Sequence, residues 1–321
     1  MNFVLSVMTF LRYFMPLILH GNKRGIRSKI FYERSFKYCA VEPHLDNLIK
    51  LSKEYKFDIY SCDEINKHEC PITFLVEASG IHHIKYNTKN IVLTSMVDYR
   101  DHYKNYISKV KNVIFPSEYM SKLHNCESPK NLYLGSPKYD VNFNSNSIVR
   151  KYQLDPKKRN AFVILPKTRD THLFANSFSR LYDCLHDLDY SIITKTRGKD
   201  VYRSFFGDFH FMDHSWFPHD SMELMYASDI IINFSSTSIK ECILLKRPLI
   251  NFDIKPFDRF LDDLYKHDYC IDLSIDFESF ELKNSILKLT NTDLSSEYQK
   301  AKDLYLFEPG NVSEFILEKC L

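Results

Sequence analysis

The chain has 321 residues, 44% of them hydrophobic and 26% charged, which is enough to build the cores of two ordinary domains and too apolar for intrinsic disorder. Lys and Arg number 43 against 41 Asp and Glu, a net charge of +2, so no broad basic field of the kind that binds nucleic acid is present and any polyanion has to be met locally. Only seven residues are glycine, about 2% against an average of about 7%. None of the seven (Gly21, Gly25, Gly80, Gly135, Gly198, Gly207 and Gly310) is spaced for G-x-G-x-x-G or a Walker loop, so phosphate loops of bare backbone are excluded.

The first stretch, Asn2 to Leu19, is apolar apart from Arg12 and is followed by Lys23, Arg24 and Arg27. Arg12 would cost about 2.5–3.5 kcal/mol inside a bilayer, Pro16 interrupts the run, and no positive charge precedes it as in a signal peptide. It reads as a buried strand, Phe3 to Val7, leading into an amphipathic helix. The basic flank leaves a peripheral contact with the inner face of the membrane open.

Short apolar runs then alternate with helical periodicity, the pattern of α/β layers on a mostly parallel sheet. Strands are expected at Lys29–Tyr32, Phe57–Tyr60, Ile72–Val76, Ile91–Leu93, Asn112–Phe115 and Asn131–Tyr133. A helix is expected over His44–Tyr55, and Ser117 caps a short one through Leu123. The polar stretches Asn142–Ser147 and Asp155–Arg159 read as an inter-domain linker. Beyond it the alternation restarts: strands Ala161–Leu165, Ser191–Thr194, Ile230–Asn233 and Leu249–Phe252, with helices Leu173–Leu185, Ser221–Ala227 and Ser238–Leu245. Two similar halves are therefore expected to face each other across a hinge.

The eight cysteines, Cys39, Cys62, Cys70, Cys126, Cys184, Cys242, Cys270 and Cys320, form no C-x-x-C pair and read as reduced thiols of a cytoplasmic protein. In open α/β sheets ligands sit at the carboxyl ends of strands. The most informative such end is Ile230-Ile231-Ile232-Asn233-Phe234-Ser235-Ser236-Thr237-Ser238, where an apolar strand ends in four hydroxyl residues at a helix start. Small hydroxyls and free helical N–H groups suit a diphosphate. One of the four would suffice for simple capping. Glu241, one turn into that helix, could accept both hydroxyls of a ribose.

The segment Asp220 to Asp253 resembles the donor-binding half of GT-B glycosyltransferases. It is most similar to CDP-glycerol glycerophosphotransferases, with their S-D-x-x-I-T-D-Y-S-S and K-x-P-I/V-I pattern, and the non-hydrolysing UDP-N-acetylglucosamine 2-epimerases share that architecture. Further matches in the family's order lie at Pro116–Tyr119, Gly135–Asp140, Pro166–Asp170, Lys195 and Gly310–Ser313. The resemblance implies an α/β fold of GT-B type, two Rossmann-like domains facing each other across a cleft. The expected parts are an acceptor domain over 1–145, a nucleotide-donor domain over 158–300, and a helical segment, 301–321, packing back on the first.

By position, the resemblance implies that Ser235, Ser236 and Thr237 hold the donor's phosphates and that Gly135 and Ser136 line the cleft. Thr168, Arg169, Lys195 and Arg197, each just after a strand, could neutralise the leaving diphosphate, since fixed cations and donors stabilise that charge without a metal. The family's H-G-T and H-P are replaced here by Thr94-Ser95-Met96 and Lys195-Thr196-Arg197. Asp98 then becomes the candidate general base, with His102 one turn on and His82 and His83 as alternatives.

His82 and His83 are adjacent, and His210, His214 and His219 surround Trp216 without cysteine or carboxylate at zinc spacing, so no metal site and no cofactor are expected. G-x-S-x-G and H-E-x-x-H are absent. The expected activity is metal-independent transfer of a sugar or glycerol phosphate from a UDP-, CDP-, GDP- or CMP-linked donor to a glycan or lipid-linked acceptor, as in surface polysaccharide biosynthesis. A UDP-sugar 2-epimerase and a non-catalytic nucleotide-sugar or glycan-binding subunit are the alternatives.

Overall fold

In the computed structural model Asn2–Leu5 forms the first strand, β1, buried at all four residues. The structure describes residues 1–34, 41–95, 99–166, 174, 176–196, 205–212, 216–253, 262–306 and 311–321. Two units are distinguished: unit 1 comprises Met1–Val141, Ser215–Pro218 and Asp303–Leu321, and unit 2 comprises Asn142–His214 and His219–Lys302.

In unit 1, β1 is followed by α1 (Leu11–Lys23), β2 (Lys29–Tyr32), α2 (Leu45–Tyr55), β3 (Asp58–Ser61), β4 (Ile72–Val76), β5 (Lys89–Leu93), α3 (Tyr99–Tyr106), β6 (Asn112–Phe115), α4 (Glu118–Leu123) and β7 (Asn131–Tyr133). The strands form one parallel sheet in the order β3-β2-β1-β4-β5-β6-β7. Alternation sorts the side chains to its two faces. Phe3 and Leu5 join Phe74, Val76, Ile91 and the helix residues Leu11 and Phe14 in one core layer. Val4 joins Phe31, Leu75, Val92 and Val113 in the other. The apolar N-terminal stretch is thus consumed by a central strand and a helix, with Arg12 buried and its guanidinium 5.7 Å from the Trp216 ring centroid. Among the described residues no helix is long and apolar enough to cross a membrane.

Unit 2 runs through α5 (Ser145–Tyr152), β8 (Arg159–Val163), α6 (Phe178–Asp187), β9 (Tyr190–Thr196), β10 (Phe209–Met212), α7 (Asp220–Tyr226), β11 (Ile230–Asn233), α8 (Ile239–Leu244), β12 (Leu249–Phe252), β13 (Cys270–Leu273) and α9 (Ser279–Asn291). Its sheet, again parallel, has the order β10-β9-β8-β11-β12-β13. The chain continues through α10 (Ser295–Tyr305) and ends in α11 (Val312–Cys320), whose Ile316, Leu317 and Cys320 enter the same core layer as α1.

The expected strands recur within a few residues, and the two units divide at Val141/Asn142, where the polar stretch read as a linker begins, but part of that stretch is helical. Ser145–Tyr152 is a helix: Asn144 Oδ1 accepts the Ser147 amide at 3.0 Å, and Ile148 and Tyr152 are buried. The same Asn/Ser chemistry that marks loops also starts helices, and only the burial of Ile148 and Tyr152 decides between them. β10 and β13 were not anticipated, because half-buried edge strands carry weak alternation. The helix expected over Leu173–Leu185 begins at Phe178, and residues 171–173 and 175 lie outside the described ones.

Gly80 links β4 to the following loop at φ +78°, and a Cβ there would stand 2.4 Å from Val4 Cγ1 on β1. Gly25 has φ +72° with nothing within 4 Å of that position. Gly80→Ala is therefore expected to destabilise unit 1 by about 2–4 kcal/mol, left-handed strain plus overpacking, and Gly25→Ala by only about 1 kcal/mol. Urea unfolding of the two variants measures the difference.

Candidate functional site

The order of strands in unit 2 reverses between β8 and β11, which marks the carboxyl end of β11 as the switch point where α/β sheets take ligands. Ser235 sits there in the left-handed region, φ +49°, a conformation that costs a non-glycine residue about 1 kcal/mol or more. It is held by its neighbours: its amide donates to Asn251 Oδ1 at 2.9 Å and its hydroxyl to Asp253 Oδ1 at 3.2 Å. Beneath it, the fully buried Asn233 and Asn251 bond to each other at 3.0 Å, and Asn251 Nδ2 donates to Asp272 at 2.7 Å. Tyr265 Oη donates to the Ser236 carbonyl at 2.8 Å. The ends of β11, β12 and β13 are thereby tied into one polar network that aims the next residues outward.

Ser238 is the N-cap of α8, yet its side chain makes no capping hydrogen bond. Ser236 and Ser238 hydroxyls lie 3.2 Å apart, and Thr237 is exposed. Among the described residues the amides of Ser236 and Thr237 donate to no protein group. The hydroxyl of Ser235 is tied to Asp253 and that of Ser236 accepts the Ser238 amide at 3.4 Å while donating to Ser238 Oγ, which leaves the exposed Thr237 hydroxyl and the consecutive N–H groups of Ser236 and Thr237 without a protein partner among the described residues. Glu241 and Lys240 follow within the first turn and are both buried.

On the other side of β8, Lys195 is buried near the end of β9 and donates to Ser221 Oγ at 2.9 Å, at the start of α7. Thr168, Arg169 and Arg197 lie outside the described residues. The structure therefore brings Ser235–Ser238 and Glu241 together on one strand-to-helix connection and places Lys195 at the same edge of the sheet. Gly135 and Ser136 belong to unit 1, just beyond β7, where Gly135 has φ +83° and Ser136 is buried.

Trp216 packs in unit 1. His210 lies in β10 between the hydroxyls of Thr194 and Thr196, at 2.9 and 3.2 Å, with burial lowering its pKa; His214 lies outside the described residues. Asp220 and Glu223 on α7 are buried against Lys151 and Tyr152 of α5, with Lys151 Nζ 3.0 Å from Asp220 and Tyr152 Oη 2.7 Å from Glu223. Burial draws the Lys151 ammonium down, but the hydrogen bond to Glu223 and the two carboxylate charges outweigh it and raise its pKa. These four side chains hold α5 to α7.

In unit 1, Asp98 lies outside the described residues and His102 falls in α3 among side chains outside the described ones. His83 is described, and it is joined by a residue that sequence spacing did not suggest: Glu33, the first residue past β2, with Oε1 2.9 Å from His83 Nε2 and 3.8 Å from His82 Nε2. Fifty positions separate Glu33 from His83, so no local pattern could have paired them.

A cavity of about 380 Å³ opens in unit 2 between Arg159, Asp229, Arg247 and Tyr298. It lies at the amino ends of β8, β11 and β12, opposite the strand ends that carry the hydroxyl run.

No family model and no curated protein sequence matches the chain. Solved structures do. The UDP-GlcNAc 2-epimerase of Methanocaldococcus jannaschii superimposes with a TM-score of 0.68 at 11% identity, over 99% of this chain and 98% of that one. The glycosyltransferase SnogD from Streptomyces nogalater does so with 0.64 at 10%, over 100% and 99%. The spinosyn rhamnosyltransferase SpnG, solved with thymidine diphosphate, gives 0.55 at 9%, over 99% of each chain. At these identities the likeness is one of fold: the chain has the GT-B fold, with two Rossmann-like units on parallel sheets.

Asn251→Ala removes the acceptor of both Ser235 N–H and Asn233 Nδ2, and is expected to destabilise unit 2 by about 2–3 kcal/mol. Thr237→Ala, on an exposed hydroxyl, is expected to stay within about 0.5 kcal/mol of the parent. Chemical denaturation of the two variants checks both values.

Proposed function

We propose that the chain is a nucleotide-sugar-dependent glycosyltransferase whose unit 2 binds the donor's diphosphate at the carboxyl end of β11. The observation that carries this reading is the Ser236–Thr237–Ser238 connection, where the consecutive N–H groups of Ser236 and Thr237 and the exposed Thr237 hydroxyl meet no protein partner among the described residues. The M. jannaschii epimerase has been solved with UDP-GlcNAc and UDP, and SpnG with thymidine diphosphate. Ligands of that chemistry, on the same fold, support a nucleoside diphosphate here.

In this reading Ser236, Thr237 and Ser238 donate to the phosphate oxygens, Ser235 sets the turn that presents them, and Glu241 accepts from the ribose hydroxyls. Lys195, with Thr168, Arg169 and Arg197, balances the charge that grows on the leaving diphosphate as the acceptor oxygen attacks the anomeric carbon. Gly135 and Ser136 complete the donor-binding set. Asp98, five residues beyond the end of β5, takes the acceptor's proton, with His102 as the next candidate. The acceptor is a glycan or a lipid-linked acceptor. With CDP-glycerol as donor the same cradle would hold CMP while the acceptor attacks phosphorus.

Thermal unfolding with UDP-, CDP-, GDP- and CMP-linked donors tests the cradle. At about 100 Kd a donor stabilises the protein by about 2.7 kcal/mol, and the Ser236→Ala/Thr237→Ala double variant is expected to lose this shift while melting at the parent temperature without ligand. An unchanged shift in the double variant removes the assignment. Release of nucleoside diphosphate only when acceptor is present supports transfer, whereas conversion of the donor sugar to its 2-epimer without acceptor identifies an epimerase instead. Asp98→Asn is expected to lower kcat by about 100-fold or more with donor binding unchanged, measured as steady-state rates beside a donor titration.

A further inference from the structure

Unit 1 has its own switch point, between β1 and β4, and the side chains gathered there are not those of a phosphate site. β1 ends at Leu5, where the ladder is continued by the Glu33 amide donating to the Leu5 carbonyl at 3.0 Å. Glu33 is thus fixed one residue past β2, beside the strand where the order reverses. β4 ends at Val76, and the chain returns through Glu77 and Ala78, both left-handed at φ +54°, and Gly80 at φ +78°. That tight return delivers His82 and His83 to the same edge.

We infer that Glu33, His82 and His83 form a binding site for a divalent transition-metal ion of the Zn2+ class. One ligand atom from each residue lies within 4.8 Å of the others, and Glu33 Oε1 faces the Nε2 atom of both imidazoles. The Oε1 separations of 2.9 and 3.8 Å bracket the value a tetrahedral ion imposes, since metal–ligand bonds of about 2.0–2.1 Å place neighbouring ligands about 3.3 Å apart. The second carboxylate oxygen, Oε2, is buried and makes no hydrogen bond among the described residues, so the site holds anionic capacity that the His83 contact does not use. Two imidazoles with one carboxylate suit Zn2+ and its neighbours, whereas Mg2+ and Ca2+ take oxygen ligands. Three protein ligands leave the fourth position of the ion to water or to a ligand's oxygen.

The frame is built to hold this geometry. Asn66 clamps the histidine turn from both sides, its Nδ2 donating to the His83 carbonyl at 2.9 Å and its Oδ1 accepting the Lys85 amide at 2.8 Å. Gly80 admits no side chain against Val4. The His82 ring lies 4.0 Å from that of His83, at 38°, with its side chain 70% exposed. In this assignment His83 is a ligand and not the base that deprotonates an acceptor, and the site stands independently of the donor cradle in unit 2.

Isothermal titration of ZnCl2 into the chelator-treated full-length chain tests the site, with thermal unfolding as a second readout. The parent is expected to bind one equivalent saturably and to melt at a higher temperature when loaded. His82→Ala, on an exposed side chain that leaves the fold intact, and His83→Ala and Glu33→Gln are each expected to weaken that binding roughly tenfold or more. Absence of saturable binding by the parent overturns the proposal. So does a His82→Ala variant that binds Zn2+ as tightly as the parent, since the metal would then be held by other histidines or by the cysteine thiols.

Discussion

Strands buried on both faces have no solvent to satisfy their backbone, so each must be paired along both edges. β1 and β11 are the strands on which this constraint falls hardest. Both are buried at every residue, and both stand beside the point where the strand order turns back. Their ladders leave no freedom of register, because a shift of one residue would send Phe3 and Leu5 to the layer that Val4 occupies. From that fixed register follows the location of the residues just beyond the strands, Ser6 and Glu33 in unit 1 and Phe234 to Ser238 in unit 2.

The two switch points carry different chemistry on the same architecture. In unit 2 the connection is made of hydroxyls and backbone donors, supported from below by the carboxamides of Asn233 and Asn251 and by Asp272. Such a site offers donors to oxygen-rich anions. In unit 1 the connection presents a carboxylate and two imidazoles, which offer lone pairs instead. With few flexible positions to spend, the chain keeps Gly80 for a turn that no other residue can make against Val4, and forms the left-handed turn at position 235 from a serine restrained by Asn251 and Asp253.

The alternation of strands and helices was written plainly in the residues, because period-2 and period-3.6 burial are local properties of the chain. Ile230–Asn233 and Leu249–Phe252 occur where their apolar runs stand. The run Ser235–Ser238 was visible for the same reason, four hydroxyls directly after an apolar strand. The helix Ser145–Tyr152 was not, because Asn and Ser signal a loop and a helix cap with equal force, and the choice rests on what Ile148 and Tyr152 bury against.

The sequence by itself therefore determined two α/β halves, the carboxyl-end position of the hydroxyl run and the exclusion of glycine-built phosphate loops. Tertiary structure alone decided the order of the strands and hence which ends become switch points. It also decided that the Ser235 and Ser236 hydroxyls are bonded within the network while Thr237 is exposed, and that Glu33 meets His82 and His83. The physical reason is the same in each case. Periodicity is fixed within a few residues of chain, whereas a meeting of side chains fifty positions apart depends on which strands pair, and that pairing is settled by the burial of whole faces.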